Sequence, residues 1–131
     1  MTWAIDTSVI VDLLRGKDPA LAARFLQGRP ADYAVPEMVR AELLLGARMS
    51  SRPRENGKKL GKLLEPLKRL PFEGEAAFHW AEIRHTLQQK GKPIGPNDLV
   101  IAATVRAAGF TLITRNAAEF RRVPALAMEV W

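Results

Sequence analysis

Two acidic residues lie on helical faces that are otherwise apolar. In a helix spanning 36–49, a turn of about 100° per residue places Glu42 away from the polar side. Its neighbours on that inward face are Met38, Val39, Leu45 and Gly46. Asp98 stands in a nearly apolar helical segment, on a face that also carries Ile101, Ala102 and Val105. A buried carboxylate needs a partner, a proton or a metal ion, because burying it alone is costly, so both acids are candidates for a chemical role.

Each of these two acids also has a structural explanation. An arginine could form a buried salt bridge with Glu42. Asp98 would stand in the first turn of its helix, where the helix dipole favours a negative charge. The residues alone leave both explanations open.

A third acid, Asp6, directly follows the apolar run 3–5, which is typical of a short buried strand. Parallel sheets bind ligands beyond the carboxyl ends of their strands, and Asp6 would project there. The apolar run 111–113 is followed in the same way by Thr114, Asn116 and Glu119. These groups would converge with Asp6 if the two strands are parallel neighbours. The alternative for Asp6 is an N-cap on a helix beginning near Thr7.

Together these acids predict a site for a hard divalent cation. The chain has no cysteine, and oxygen ligands without Cys or His favour Mg²⁺ or Mn²⁺ over zinc. His79 and His85 are six residues apart on one helical segment and point to different faces, so we expect surface or packing roles for them. A bound Mg²⁺ or Mn²⁺ polarises a phosphoryl oxygen and lowers the pKa of bound water. The predicted chemistry is phosphodiester hydrolysis.

The distribution of charge indicates a polyanionic partner. The net charge is +6, and segment 48–69 holds eight basic residues against two acids, which accounts for the whole excess. Each phosphate that such a segment neutralises releases counterions, which favours binding. The alternative is a solvated helix whose lysines only maintain solubility.

Length and composition are those of an ordinary globular domain. The 131 residues are 47% hydrophobic and 26% charged, which predicts one domain over 1–131 with its own core. No apolar run approaches the ~20 residues that span a membrane, and the chain does not open with a basic segment before an apolar one, so we expect a cytoplasmic protein. The glycine-rich loops that receive a nucleotide pyrophosphate are absent from the sequence.

Short apolar runs alternate with helical segments, which is typical of an α/β fold. We predict a short central parallel sheet of four to five strands, flanked by helices on both faces. The predicted strands span 3–5, 33–35, 70–72, 111–113 and 126–129. The predicted helices span 7–14, 19–27, 36–49, 53–68, 75–90 and 97–108, with a loop at 91–96. The predicted core residues of helix 75–90 are Phe78, Ile83 and Leu87.

Four short motifs follow one another along the chain. They are Ile5-Asp6-Thr7-Ser8, Ala41-Glu42-Leu43, the run Ile94–Ala103, and Leu112–Asn116 with Glu119-Phe120. In this order and at these separations, the motifs resemble the PIN-domain family, and specifically the VapC ribonuclease toxins of bacterial toxin–antitoxin modules. The resemblance covers essentially the whole chain.

The resemblance implies a role for each candidate residue. It makes an acidic triad that binds Mg²⁺ or Mn²⁺ from Asp6, Glu42 and Asp98. Hydrogen bonds to the site would come from Thr7, Ser8 and Thr114. The chain departs from the family at Asn116, where many PIN domains carry an aspartate. Either Glu119 supplies that charge one turn later, or a second metal site is weak.

The resemblance also implies partners and a substrate. These are a VapB-type antitoxin that obstructs the active site, a second copy in a homodimer, and structured RNA, often tRNA. The RNA contacts would come from Arg48, Lys58, Lys59 and Lys62 of the basic segment. Two other functions remain possible: a non-catalytic RNA-binding domain of the same fold, and an aspartyl-phosphate phosphatase with Asp6 as nucleophile. Such phosphatases need a second aspartate two residues later, where this chain has Ser8.

Overall fold

The computed structural model describes residues 2–131 and contains one sheet of five strands. The strands are β1 (Trp3–Ile5), β2 (Tyr33–Pro36), β3 (Lys68–Leu70), β4 (Thr111–Thr114) and β5 (Met128–Val130). Their spatial order is β3-β2-β1-β4-β5, and every neighbouring pair is parallel. The predicted α/β class and parallel sheet are confirmed.

Seven α-helices in the described part of the chain connect or flank these strands. They are α1 (Thr7–Arg15), α2 (Pro19–Gln27), α3 (Glu37–Met49), α4 (Pro53–Leu64), α5 (Ala76–Gln89), α6 (Pro96–Ala108) and α7 (Ala117–Phe120). Helices α1 and α6 end at Gly16 and Gly109, with φ of 66° and 73°. Glycine adopts this left-handed conformation without the clash that a Cβ would cause, which is why both helices stop there. Within residues 2–131, no helix is both long and apolar enough to cross a bilayer.

Protein covers both faces of the central strands. Successive side chains of a strand point to opposite faces, and three successive residues of β4 are buried: Leu112, Ile113 and Thr114. Helix α6 packs against β2, β4, α3 and α5, and its residues 101–105 are all buried. This position between sheet and helices explains why α6 is apolar on nearly every side.

Some predicted boundaries and one core residue are wrong. Strand β3 spans Lys68–Leu70 rather than 70–72, α4 ends at Leu64 rather than 68, and β5 spans Met128–Val130 rather than 126–129. Both strands lie at sheet edges, where exposed side chains weaken the apolar pattern that marks a strand. Phe78 is 61% exposed and does not belong to the core, whereas Ile83 and Leu87 do.

Candidate active site at the carboxyl edge of the sheet

The carboxyl ends of β1 and β4 meet, because these strands are parallel neighbours with Ile5 opposite Ile113. Asp6 follows β1 and Thr114 ends β4, so both lie at this edge. The Thr114 hydroxyl donates a hydrogen bond of 2.7 Å to Asp6 Oδ2, and both residues are buried. The convergence that depended on the two strands being neighbours is therefore present.

Two hydroxyl groups hold the Asp6 carboxylate. Besides Thr114, the Ser8 hydroxyl donates to Asp6 Oδ2 at 2.9 Å. Burial raises the pKa of the Asp6 carboxyl, and the hydrogen bonds from Thr114 and Ser8 oppose that rise by favouring the charged form. Asp6 is the N-cap residue of α1, but its side chain does not cap the helix. Its carboxylate is thus committed to the sheet edge rather than to the helix terminus.

Glu42 is partly buried on α3 and is held by two neutral groups. Its Oε1 accepts a hydrogen bond of 2.8 Å from the Thr7 hydroxyl, and its Oε2 accepts one of 3.4 Å from Nδ2 of Asn97. Across residues 2–131, no basic side chain forms an ion pair with Glu42, so the arginine salt bridge is not formed. The face on which Glu42 lies is only partly inward, since Leu45 is 57% exposed.

The carboxyl groups of Asp98 and Glu119 lie next to each other. Asp98 lies in the first turn of α6, Glu119 lies in α7, and their carboxyl groups are hydrogen-bonded. Burial raises the pKa of Asp98 to about 7, with further contributions from the Glu119 hydrogen bond and from the charges of Glu119, Asp6 and Glu42. The same hydrogen bond lowers the pKa of Glu119. Asp98 therefore lies within electrostatic range of the other three carboxyl groups, and Asp6 lies within range of Glu42.

The chain leading into α6 runs beside this pair. A Cβ on Gly95 would lie 3.7 Å from Glu119 Oε2 and 3.9 Å from Asp98 Oδ2. Arg122, just after α7, donates a hydrogen bond of 2.9 Å to the Pro93 carbonyl. That bond joins the segment carrying Glu119 to the loop that leads to Asp98.

Asn97 and Arg115 were not among the predicted site residues. Asn97 reaches Glu42 because adjacent helix residues point about 100° apart, so Asn97 can face α3 while Asp98 faces α7. That spacing was a usable signal in the sequence. Arg115 contacts the site through its backbone N–H, which donates to Ser8 Oγ at 3.1 Å, and no pattern of side chains marks such a bond. Asn116, which was among the predicted site residues, is exposed, and its backbone N–H donates to Thr114 Oγ1 at 2.9 Å.

The donor set suits a hard cation in its chemistry. It consists of carboxylates with hydroxyl and amide groups around them, which Mg²⁺ and Mn²⁺ prefer. Within residues 2–131, no three Asp, Glu, Cys or His side chains are already gathered around one ion position. The pKa of Asp98 is raised beside Glu119, so Asp98 would have to lose its proton to act as a ligand.

The predicted basic residues lie on the surface, and Lys59 borders a groove that Glu42 also lines. Lys58, Lys59 and Lys62 are exposed on α4, and Arg48 is exposed near the end of α3. The groove of about 540 Å³ between α1, α3 and α4 is lined by Glu42 and also by Lys59. The candidate cation site and the basic helix therefore border one groove.

The histidines lie outside this site. His79 Nδ1 accepts a hydrogen bond of 2.8 Å from Nε of Arg106, whose side chain is almost wholly buried. The same guanidinium bonds to Glu82 and to the Pro124 carbonyl. His79 therefore has a packing role, and His85 is exposed on α5.

The fold and the family comparison agree on one class of protein. The PIN-domain model matches residues 4–126, and the chain belongs to the PIN-domain family. Within that family its relatives are VapC proteins. It is 34% identical to the Ribonuclease VapC2 of Rickettsia felis, over all of this chain and 98% of that protein. It is 31% identical to the tRNA(fMet)-specific endonuclease VapC of Shigella flexneri, with the same coverage.

Solved structures give the same result. The crystal structure of VapBC2 from Rickettsia felis bound to a DNA fragment from their promoter matches with a TM-score of 0.93 at 32% identity, over 100% of this chain and 99% of that chain. DNA-bound VapBC from Salmonella typhimurium matches with a TM-score of 0.93 at 28% identity, over 100% and 98%. The resemblance inferred from the four motifs is confirmed.

Proposed function

We propose that this chain is a VapC-type toxin, an endoribonuclease that hydrolyses phosphodiester bonds of RNA at a carboxylate site that binds Mg²⁺ or Mn²⁺. The observation that carries the proposal is that Asp98 lies within electrostatic range of Asp6, Glu42 and Glu119, four acids from separate parts of the chain. The names of the VapC relatives support the nuclease activity. A fold that gathers like charges at one edge gains little stability from them, so a cation-binding role is the better explanation.

Each residue of the site has a definable task in this proposal. Asp6, Glu42 and Asp98 would hold the cation, which when bound polarises the phosphoryl group and lowers the pKa of a water. Thr114 and Ser8 orient the Asp6 carboxylate and favour its charged form.

The remaining groups orient Glu42 and affect the proton of Asp98. Thr7 and Asn97 fix the two oxygens of Glu42. Glu119 lies beside Asp98 and would become available as a fourth acid once Asp98 loses its proton. Asn116, beyond the end of β4, would then act only through the hydrogen bond of its backbone N–H to Thr114.

The test is cleavage of RNA by purified protein in Mg²⁺ or Mn²⁺. We expect cleavage to stop in EDTA and in each of three substitutions that remove a charge but keep the shape: Asp6→Asn, Glu42→Gln and Asp98→Asn. The matched control is Glu65→Gln, an exposed acid at the end of α4, which should cleave as the unaltered chain does. Undiminished cleavage in EDTA would refute the metal-dependent mechanism. RNA binding without turnover in Mn²⁺ would favour the non-catalytic alternative, and a covalent aspartyl phosphate would favour the phosphatase.

We propose structured RNA, and tRNA in particular, as the substrate. We also propose that the protein acts in the cytoplasm, where this RNA is found. The support is the name of the Shigella flexneri relative, a tRNA(fMet)-specific endonuclease. The exposed cations Arg48, Lys58, Lys59 and Lys62 would bind the phosphates of that RNA. Sequencing of RNA ends after brief induction in cells without the partner tests this, and one dominant cleavage site in a tRNA is the expected result. Ends spread evenly over messenger RNA would contradict it.

We also propose a VapB-type antitoxin as partner, because the matching structures from Rickettsia felis and Salmonella typhimurium are VapBC complexes. The expected result is that the VapB protein encoded beside this chain copurifies with it and stops RNA cleavage. Cleavage at full rate in a purified complex would contradict inhibition by that partner.

We also propose that two copies of this chain form a homodimer. Helix α3 carries exposed Leu45 and Met49, and a cleft of about 620 Å³ beside it is lined by apolar residues that include Met38, Phe72 and Trp80. A second copy would cover this face, since exposed apolar area of this kind marks interaction surfaces. Leu45→Glu should convert a dimer to a monomer in light scattering, whereas Leu26→Glu, a change at a still more exposed leucine on α2, should not. The single-domain architecture over 1–131 stays a prediction.

A further inference from the structure

Arg115 is a cation placed between two acids beside the candidate site. It directly follows Thr114, and its Nη1 lies 2.8 Å from Asp18 Oδ2 and 3.2 Å from Asp12 Oδ2. Asp12 belongs to α1, and Asp18 is the N-cap residue of α2. One guanidinium therefore joins the end of β4 to two helices.

The backbone of the same residue contacts the site. The Arg115 N–H donates to Ser8 Oγ at 3.1 Å, and Ser8 donates its single hydroxyl hydrogen to Asp6 Oδ2 at 2.9 Å. A hydroxyl that accepts from one side has its hydrogen available for only one acceptor on the other. The position of the Arg115 backbone thus determines where the Ser8 hydroxyl points.

Asp18 anchors the other end of this connection. Its Oδ1 accepts a hydrogen bond of 3.1 Å from the Leu21 N–H, so the carboxylate is already fixed to the first turn of α2. A fixed carboxylate holds Arg115 more firmly than a mobile surface acid does, because less side-chain entropy is lost in forming the pair. The chain of contacts then runs from α2 through Arg115 and Ser8 to Asp6.

We propose that Arg115 is a positioning residue for the nuclease reaction, holding the segment after β4 against α1 and α2 so that Ser8 keeps Asp6 oriented. The inference rests on the proposed function, because it assigns Asp6 to the reacting site. We do not expect Arg115 to contact RNA, since two carboxylates neutralise its charge. Its loss should therefore lower kcat and leave RNA affinity unchanged.

The experiment compares Arg115→Ala, Arg115→Lys and Arg29→Ala. In Arg115→Ala we expect kcat to fall roughly tenfold, as small misplacements of catalytic groups do, with KM within about twofold of the original value. Both ion pairs use the single atom Nη1, so the ammonium of Arg115→Lys can replace them and should restore most of the activity. Arg29→Ala is the matched control, because Arg29 also pairs with an acid, Asp32, at 3.4 Å, is largely exposed and lies away from the groove beside Glu42.

Two further readouts separate this proposal from other outcomes. Hydrogen exchange at the amides of residues 6–10 should accelerate in Arg115→Ala but not in Arg29→Ala. This readout does not depend on whether the chain cleaves RNA. Unchanged exchange there overturns the proposal, whereas absence of RNA cleavage by the unaltered chain counts against the proposed function alone. A raised KM with a shallower salt dependence and an unchanged kcat would make Arg115 an RNA contact instead. If Arg115→Ala fails to fold, Asp12→Asn removes one of its two ion pairs and should show the same fall in kcat at smaller size.

Discussion

Asp98→Asn is expected to make the metal-free protein more stable above pH 7 while it abolishes cleavage. In the unaltered chain, ionised Asp98 must share its surroundings with Glu119, Asp6 and Glu42, which disfavours its charge. The asparagine carries no charge, and its amide can donate to Glu119 the hydrogen bond that the protonated Asp98 donates. A purely structural acid would behave in the opposite way, because its removal would cost stability.

The size and the pH range of this effect follow from the pKa of Asp98. That pKa is raised from 3.8 to about 7, so the folded state holds the proton more tightly than the unfolded state. The contribution of Asp98 to the free energy of unfolding is therefore fully present below about pH 4 and is lost as the pH rises through 7. A fully buried carboxyl with this shift would lose roughly 4 kcal/mol, and solvent screening of the half-buried Asp98 reduces that to about 1–2 kcal/mol. For a chain of this length that corresponds to about 4–8 °C in Tm.

The assay is thermal unfolding in EDTA between pH 4 and pH 8, followed by circular dichroism. The Tm of Asp98→Asn should match that of the unaltered chain near pH 4 and exceed it increasingly up to about pH 7. Glu73→Gln, a change at an exposed acid before α5, is the control and should show no such divergence. A Tm below that of the unaltered chain at pH 8, or a difference independent of pH, would refute the reasoning.

Three other outcomes are expected. Replacing the three exposed lysines of α4 with glutamine should weaken RNA binding and reduce the slope of log affinity against log salt concentration by about 2, as measured by titration at several salt concentrations. An unchanged slope would mean that α4 is only a solvated helix. These lysines are Lys58, Lys59 and Lys62. Thr114→Val should cost about 1.5–3 kcal/mol in urea unfolding at neutral pH, because a buried hydroxyl bonded to the Asp6 carboxylate is lost, and a neutral effect would contradict that bond. Gly28→Ala should lower the Tm, because its Cβ would collide with the Tyr33 ring. The Cβ of Gly46→Ala on α3 meets open space, so this change should raise the free energy of unfolding by about 0.5–1 kcal/mol. Similar Tm changes in both variants would contradict the packing at Gly28.

Several features of this protein were determined by its sequence. Alternating apolar runs and helical segments predicted the α/β class, since periodicity is a local property of neighbouring residues. Asp6 and Thr114 could be placed at one sheet edge because each follows a short apolar run, and parallel strands share their carboxyl end. The four motifs led to the PIN-domain family, which the match over residues 4–126 confirms.

Other features were decided only by the tertiary structure. The partners of Glu42 come from α1 and α6, the acid beside Asp98 comes from α7, and Arg115 links β4 to α1 and α2. Strand β3 takes its bounds from pairing with β2 at an edge where its own side chains are exposed. In each case the interacting groups are far apart in the sequence, and the distance between them in space depends on how the helices pack on the sheet. Hydrophobic periodicity specifies which face of an element is buried, but not which polar groups meet when two such faces come together.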